Sequence, residues 1–256
     1  MPLVPVLHRS SAVRATIRGG LPRRGWRVEA CRGSESLQQT LERRLVDGVV
    51  VDVRLPSSGA ALALISRYPG IPFFALSAFR PDDAALIART RGAGVAGVLV
   101  EGVDDTAIGE LIVLGSATRR RRLALADAPR LLRLTEPIQL RAWDEVLARV
   151  GTRTTTADVA RAVRRTREHL SREFGAGGAP NLKRVIDLVR IAWAADLLAN
   201  PGYTARTVAA LLRFASPSHL ADCAARVAGV RTSGLPALGP GGVLGRFARG
   251  RTRSRV

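Results

Sequence analysis

The chain has 256 residues, of which 46% are apolar, and a formal net charge of +19. This length predicts one or two domains with a substantial core. No apolar run reaches the ~20 residues that cross a bilayer, which excludes a membrane-spanning helix. The positive charge favours a polyanionic partner, because cations that bind phosphates release counterions. Almost all of the cations are arginines, however, and the abundance of Ala, Gly and Val also fits the codon usage of a GC-rich genome.

Cysteine and histidine are too few and too scattered to indicate a metal site. Cys31 and Cys223 form no CxxC motif, and His8, His169 and His219 form no metal-binding pair. We therefore predict no catalytic residue, no metal, no cofactor and no enzyme activity. The opening stretch MPLVPVLHRSSAVRATIRGG lacks the charged region, apolar core and cleavage site of a signal peptide, so we expect a cytoplasmic protein.

The first part of the chain alternates short β-branched runs with amphipathic segments. PLVPVLHRS and AVRATIRGG come first, followed by WRVEAC, SLQQTLERRL, GVVVDV, AALALISRY, PFFALSA, DAALIARTRG, GVLVEG and DTAIGELIVLG. Strands that alternate with helices form a parallel sheet covered on both faces. Residues 1–117 are thus predicted to form an α/β doubly wound, five-stranded sheet, which binds its ligands at the carboxyl ends of the strands.

The pattern changes after Ala117. Residues 118–139 contain the run Arg119 to Arg122 and two prolines, and they are predicted to be an Arg-rich linker with some helical character. Residues 140–235 show only helical periodicity and are predicted to form an all-α domain. Residues 236–256 are rich in Gly, Pro and Arg, and we expect this basic tail to be disordered.

The helical part contains a weak internal repeat. TTADVARAVRRTREHLSREFG and ARTVAALLRFASPSHLADCAARVAG each predict a helix, a tight turn and a second helix. Thr166 is expected to cap the second helix of the first unit, and Ser216 with Pro217 that of the second. The inward positions are predicted to be Val159, Ala160, Val163, Leu170 and Phe174 in the first unit and Val208, Ala209, Leu212, Leu220 and Ala224 in the second.

One long helix is predicted between the two units. NLKRVIDLVRIAWAADLLAN begins after Pro180 and ends at Asn200, with one broad apolar stripe that includes Val185, Val189 and Trp193. Such a helix spans roughly 27 Å. This length would hold the second helices of both units near the ~34 Å that separates successive major grooves on one face of DNA.

Two helix-turn-helix units joined by one long helix resemble the DNA-binding domain of AraC-type transcription regulators, over residues 140–235. The resemblance implies that the helices Thr166 to Phe174 and Pro217 to Arg226 enter the major groove. Arg172 is the best candidate for reading guanine, because its fork can bond two base-edge acceptors. The DNA-binding candidates are Arg164, Arg165, Arg167, Glu168, Ser171, Arg172, Arg213, Ser216, Ser218 and His219.

The second unit departs from the AraC-type pattern at three positions. Arg213 stands where the family usually has a turn glycine, and Ala224 replaces a late aromatic residue. Asp222 is expected at the surface, where a carboxylate repels phosphates although it can accept from cytosine. We therefore expect the first unit to dominate specificity.

The first part resembles the receiver domain of response regulators. DGVVVDVRLP places Asp52 at the phosphoacceptor position, ALSAF places Ser77 at the hydroxyl switch position, and GAGVAGVLVEG matches the approach to the last strand. Receiver chemistry also needs an acidic pair that holds Mg²⁺ and a lysine that neutralises the phosphoryl group. His8 and Arg9 stand at the acidic pair and Glu101 at the lysine.

These replacements predict an inactive receiver. Mg²⁺ needs hard oxygen ligands, and Asp52 alone is a poor site. Without the metal the phosphoryl charge has no clamp, and Glu101 would repel it. We expect Arg9 or Arg54 to pair with Asp52 instead, which would fix one conformation.

The sequence thus predicts a cytoplasmic, non-enzymatic transcription regulator in which a degenerate receiver-like domain precedes an AraC-like domain. Double-stranded DNA is the expected partner, a homodimer through the receiver-like domain is compatible with it, and no membrane partner is expected. One alternative is a response regulator switched by phosphorylation of Asp52. The other is a protein-interaction adaptor that does not bind DNA, which Arg213 and Asp222 keep open.

Overall fold

The computed structural model describes residues 2–22, 25–175 and 178–253. The chain divides into two compact units. The first comprises the residues up to Arg120 together with Asn200–Gly202, and the second comprises Arg121–Ala199 and the chain from Tyr203 onward. In the part that the structure describes, no helix is long and apolar enough to cross a membrane.

The first unit is a five-stranded parallel sheet with the strand order β2-β1-β3-β4-β5. This is a doubly wound order, in which the direction of strand addition along the sheet reverses between β1 and β3. Val6 pairs with Ala30 on one side and with Val50 on the other. The predicted fold class is confirmed, with strands β1 Leu3–Leu7, β2 Arg27–Ala30, β3 Val49–Val51, β4 Phe73–Ser77 and β5 Gly97–Val100.

Five helices cover the sheet: α1 Ser11–Gly20, α2 Ser34–Arg43, α3 Ser58–Arg67, α4 Ala84–Gly92 and α5 Ile108–Gly115. The three central strands are buried along their whole length because helices cover both faces. Helices α1 and α5 pack at Gly20 and Gly109. A Cβ atom on Gly109 would overlap the carbonyl oxygen of Gly20, so this approach requires glycine.

The rest of the chain is helical, in agreement with the predicted all-α domain. Helix follows helix through much of the predicted linker, and Arg121 inside it is fully buried. Its Nε donates to Asp196 Oδ2 at 2.6 Å. The helices are α6 Ala117–Ala124, α7 Ala128–Leu131, α8 Pro137–Ala148, α9 Thr156–Ala162, α10 Arg167–Gly175, α11 Leu182–Leu198, α12 Ala205–Leu211, α13 Pro217–Ala228 and α14 Leu235–Arg253.

The prediction of a disordered tail is wrong over residues 236–253. Helix α14 occupies this segment, with a break at Gly239, and packs against α11. It buries Leu235, Val243, Leu244 and Phe247. The high content of Gly, Pro and Arg obscured an apolar face spaced at one helical turn. Residues 254–256 lie outside the described residues.

Candidate functional site

The predicted phosphoacceptor position lies at the carboxyl ends of the parallel strands. His8 follows β1, Asp52 follows β3, Ser77 ends β4 and Glu101 follows β5. Because β1 and β3 flank the point where the strand order reverses, this edge is where doubly wound sheets bind ligands. The structure thus brings together four side chains that stand at key positions in the resemblance to receiver domains.

Asp52 accepts two hydrogen bonds on one oxygen. The Ser77 hydroxyl donates to Oδ1 at 2.7 Å, and the Arg54 backbone N–H donates to the same atom at 3.0 Å. The Ser77 hydroxyl also accepts from the Val53 N–H at 3.0 Å. Asp52 and Ser77 are both buried. The hydroxyl at the switch position is therefore held against the carboxylate by protein groups alone.

The buried His8 ring lies between two carboxylates. Its Nδ1 accepts from the Ser10 N–H at 3.1 Å, so in the neutral ring Nε2 carries the hydrogen. Nε2 lies 3.5 Å from Glu101 Oε2 and 3.9 Å from Asp52 Oδ2, and it forms no hydrogen bond. The imidazole therefore presents a hydrogen-bearing nitrogen to the site.

These residues do not fit a magnesium ion. A ring nitrogen that carries hydrogen has no lone pair for a metal, and Mg²⁺ prefers oxygen ligands in near-octahedral geometry. Within residues 2–22, 25–175 and 178–253, no group of three or more His, Cys, Asp or Glu side chains is arranged to hold a metal ion.

The expected ion pair between Asp52 and Arg54 or Arg9 is wrong. The Arg54 guanidinium pairs with Asp83, and Arg9 is exposed. The backbone N–H of Arg80 and then the Arg54 side chain hold the pKa of Asp83 below its usual range. Only the backbone of Arg54 reaches Asp52, because the side chain extends toward the start of α4.

The two predicted helix-turn-helix units are the pairs α9–α10 and α12–α13. Thr155 caps α9 and Thr204 caps α12, and each side chain accepts from the N–H three residues later. The turns repeat the same bond: the Arg165 N–H donates to the Ala160 carbonyl at 2.9 Å, as Phe214 does to Ala209 at 2.8 Å. All ten side chains predicted to face inward are buried.

The second helix of each unit carries the predicted caps. Thr166 accepts from the His169 N–H at 3.2 Å ahead of α10, and Ser216 accepts from the His219 N–H at 3.0 Å ahead of α13. Because it caps α13, Ser216 is only partly exposed. The other predicted DNA-binding residues are all exposed: Arg164, Arg165, Arg167, Glu168, Ser171, Arg172, Arg213, Ser218 and His219.

Helix α11 connects the two helix-turn-helix units over 17 residues, or about 25 Å. Asn181 caps its start, and the predicted stripe is buried at Val185, Val189 and Trp193. The bounds and the buried stripe of this helix agree with the prediction made for it from the sequence.

The sequence did not predict the role of Arg190 in α11. Its guanidinium carbon lies 3.8 Å from the centre of the Phe214 ring, and its Nε and Nη2 donate to the Leu212 carbonyl at 3.2 and 3.1 Å. Burial lowers the pKa of Arg190, and nearby Asp187 opposes this shift. Arg190 thus fixes the turn of the second helix-turn-helix unit. The helical periodicity of the sequence gives no signal for such a stacked cation.

No protein-family model and no curated protein matches the chain. Its structure is similar to a response regulator from Thermotoga maritima, at 22% identity and a TM-score of 0.40 over 44% of this chain and 96% of that one. A receiver domain protein from Clostridium thermocellum is 20% identical, with a TM-score of 0.40 over 48% of this chain and 98% of that one. Full-length FixJ from B. japonicum is 16% identical, with a TM-score of 0.38 over 90% of this chain and 98% of that one. At these identities and TM-scores, the likenesses support no inference about function.

Proposed function

We propose that the protein is a sequence-specific, double-stranded DNA-binding transcription regulator, and that its receiver-like domain works without phosphorylation. The repeated helix-turn-helix supports this function most directly: α10 and α13 each follow the same turn, and α11 lies between the pair α9–α10 and the pair α12–α13. In helix-turn-helix proteins the second helix lies in the major groove. The spacing favours two such helices on one face of the duplex.

The exposed side chains of α10 support contact with DNA. Arg167 and Arg172 are exposed on this helix, and Arg164 and Arg165 are exposed in the turn ahead of it. Arginines of this kind neutralise phosphates and release counterions. Helix α13 offers Ser218 and His219 but also the exposed Asp222. We therefore assign the larger share of base recognition to α10.

The geometry at Asp52 supports a regulator that does not depend on phosphorylation. The Ser77 hydroxyl already bonds Asp52, and His8 and Glu101 occupy the space beside it. In this proposal the receiver-like domain serves as an input or dimerisation domain. Its signal would be a partner or a small ligand, and a phosphoryl group on Asp52 is the alternative that the chemistry disfavours.

We further propose that the receiver-like domain forms a homodimer. Leu111 and Leu114 of α5 are 37% and 45% exposed, which leaves apolar surface on one helix. Sedimentation of the wild-type protein and of Leu114→Glu tests this part of the proposal. A wild-type dimer that the substitution dissociates supports it, and a wild-type monomer refutes it.

The test of DNA binding is capture of genomic fragments with the purified full-length protein. Recovered fragments are compared with shuffled duplexes of equal length over a range of salt concentrations. We expect affinity for recovered fragments to exceed that for shuffled DNA by ~10³-fold or more. Equal affinity for both would refute sequence-specific binding, and no affinity for either would favour the adaptor that does not bind DNA.

A further inference from the structure

Three arginines of the described chain have a left-handed backbone. Arg133, Arg164 and Arg213 have φ angles of 56°, 56° and 59°, and no other non-glycine residue described has a positive φ. Side chains with a Cβ atom disfavour this conformation, which glycine adopts without strain. Each of these positions would therefore be more easily filled by glycine.

All three arginines occupy the same place in the same helix ending. The N–H after each one donates to a carbonyl five residues earlier, in the pairs Leu134 to Pro129, Arg165 to Ala160 and Phe214 to Ala209. This is the bond of a Schellman motif, in which the left-handed residue is usually glycine. The backbone thus requires the left-handed conformation at these sites but does not require an arginine side chain.

Two of the three arginines lie in the turns of the helix-turn-helix units. Arg164 precedes α10 by three residues, and Arg213 precedes α13 by four. In such units the first helix crosses the DNA backbone and the start of the second enters the groove. The turn between them therefore lies beside phosphates. Arg133, in contrast, lies between α7 and α8, outside both units.

The side chains are placed for contact with a phosphate. Arg164 and Arg213 are exposed. The Nε of Arg213 donates to the Gly151 carbonyl at 3.2 Å, which orients its guanidinium and leaves the two terminal nitrogens as donors. A planar guanidinium with several donors suits a phosphodiester oxygen pair.

We infer that Arg164 and Arg213 each bind a phosphodiester group of the DNA backbone, one ahead of each recognition helix. This inference rests on the proposed DNA binding and specifies how each helix is held in register. The two contacts are independent of base sequence, because they lie on phosphates and not on base edges.

Substitution by glycine removes the cation at a backbone conformation that glycine adopts without strain. In Arg164→Gly, Arg213→Gly and the double variant the left-handed strain is relieved, which for Arg213 offsets the loss of its hydrogen bond to the Gly151 carbonyl, so all of these variants are expected to fold. Arg133→Gly is the matched control, since it makes the same change outside the two units. Affinity is measured on a captured fragment and on shuffled DNA at several salt concentrations.

We expect each turn variant to weaken binding to both DNAs by the same factor. The slope of log affinity against log salt should fall by about one unit in each variant and by about two in the double variant. Arg133→Gly should keep the wild-type slope. Unchanged slopes in the turn variants, or an equal fall in Arg133→Gly, would overturn this inference alone. A wild-type protein without affinity for any duplex would overturn the proposed function as well.

Discussion

The Ser77 hydroxyl donates a hydrogen bond to Asp52 Oδ1 at 2.7 Å and accepts one from the Val53 N–H at 3.0 Å. Both roles of the hydroxyl are therefore used, in a side chain that is fully buried. A hydroxyl engaged in this way is held at the carboxylate without any phosphoryl group. The ends of β3 and β4 are thus joined by hydrogen bonds through the Ser77 side chain.

Acetyl phosphate with Mg²⁺ should leave the protein unmodified. His8 presents a hydrogen-bearing nitrogen where a metal ligand is needed, and Glu101 repels an incoming phosphoryl group. Intact-mass measurement after incubation should show only the mass of the unmodified chain. Stoichiometric phosphate that hydroxylamine removes and that Asp52→Asn abolishes would contradict this expectation.

Ser77→Ala should destabilise the unit that contains the five-stranded sheet by about 1–3 kcal/mol. The substitution leaves the buried Val53 N–H without its acceptor and removes one donor to Asp52. Urea unfolding measures the loss. Ser66→Ala is the control, since Ser66 is an exposed serine on α3 and its substitution should change stability by less than about 0.5 kcal/mol. Equal stability of both variants would mean that the Ser77 bonds contribute nothing.

The residues of the Asp52 site could be predicted, but their contacts could not. Alternating strands and helices place His8, Asp52, Ser77 and Glu101 at one edge of a parallel sheet whatever their side chains do. The direction of the Arg54 side chain depends on Asp83, which is distant in sequence, and so the expected ion pair with Asp52 was wrong. Which nitrogen of the His8 ring carries the hydrogen depends on the Ser10 N–H, and this contact cannot be read from the sequence.

Arg172 and Arg167 of α10 should play different roles on DNA. If Arg172 faces base edges, Arg172→Ala should cost about 1–3 kcal/mol on the captured fragment and much less on shuffled DNA. If Arg167 near the helix start contacts phosphate, Arg167→Ala should weaken binding to both DNAs alike and lower the salt slope by about one unit.

Quantitative band-shift titrations of the two alanine variants on both DNAs measure this difference. Equal losses on specific and shuffled DNA for both variants would show that neither residue reads bases. Unchanged binding in both would place α10 outside the groove.

Asp196→Ala should destabilise the second unit by about 3–5 kcal/mol, because it removes the carboxylate that pairs with the fully buried Arg121. The double variant Arg121→Met with Asp196→Leu should unfold at higher denaturant than Asp196→Ala, since it leaves no unpaired buried charge. Chemical unfolding of the three proteins measures both effects. A loss below about 1 kcal/mol in Asp196→Ala would show that Arg121 does not depend on this partner.

The helical unit was predictable where periodicity is regular and was not where a contact is long-range. Thr166 and Ser216 cap their helices as their positions in the sequence indicate. Arg121 is buried against Asp196, which is distant in sequence, and α14 packs against α11. Neither contact can be read from the local sequence. The stacking of Arg190 on Phe214 is of the same kind.

In the proposed function the protein recognises DNA without phosphorylation of Asp52. The most direct measurement is the affinity for a captured fragment of the wild type and of Asp52→Asn, each with and without prior incubation in acetyl phosphate and Mg²⁺. We predict four affinities that agree within about twofold, because nothing at Asp52 is switched. A rise of about tenfold or more in the treated wild type, absent from Asp52→Asn, would show that phosphorylation controls binding and would contradict a regulator that works without it.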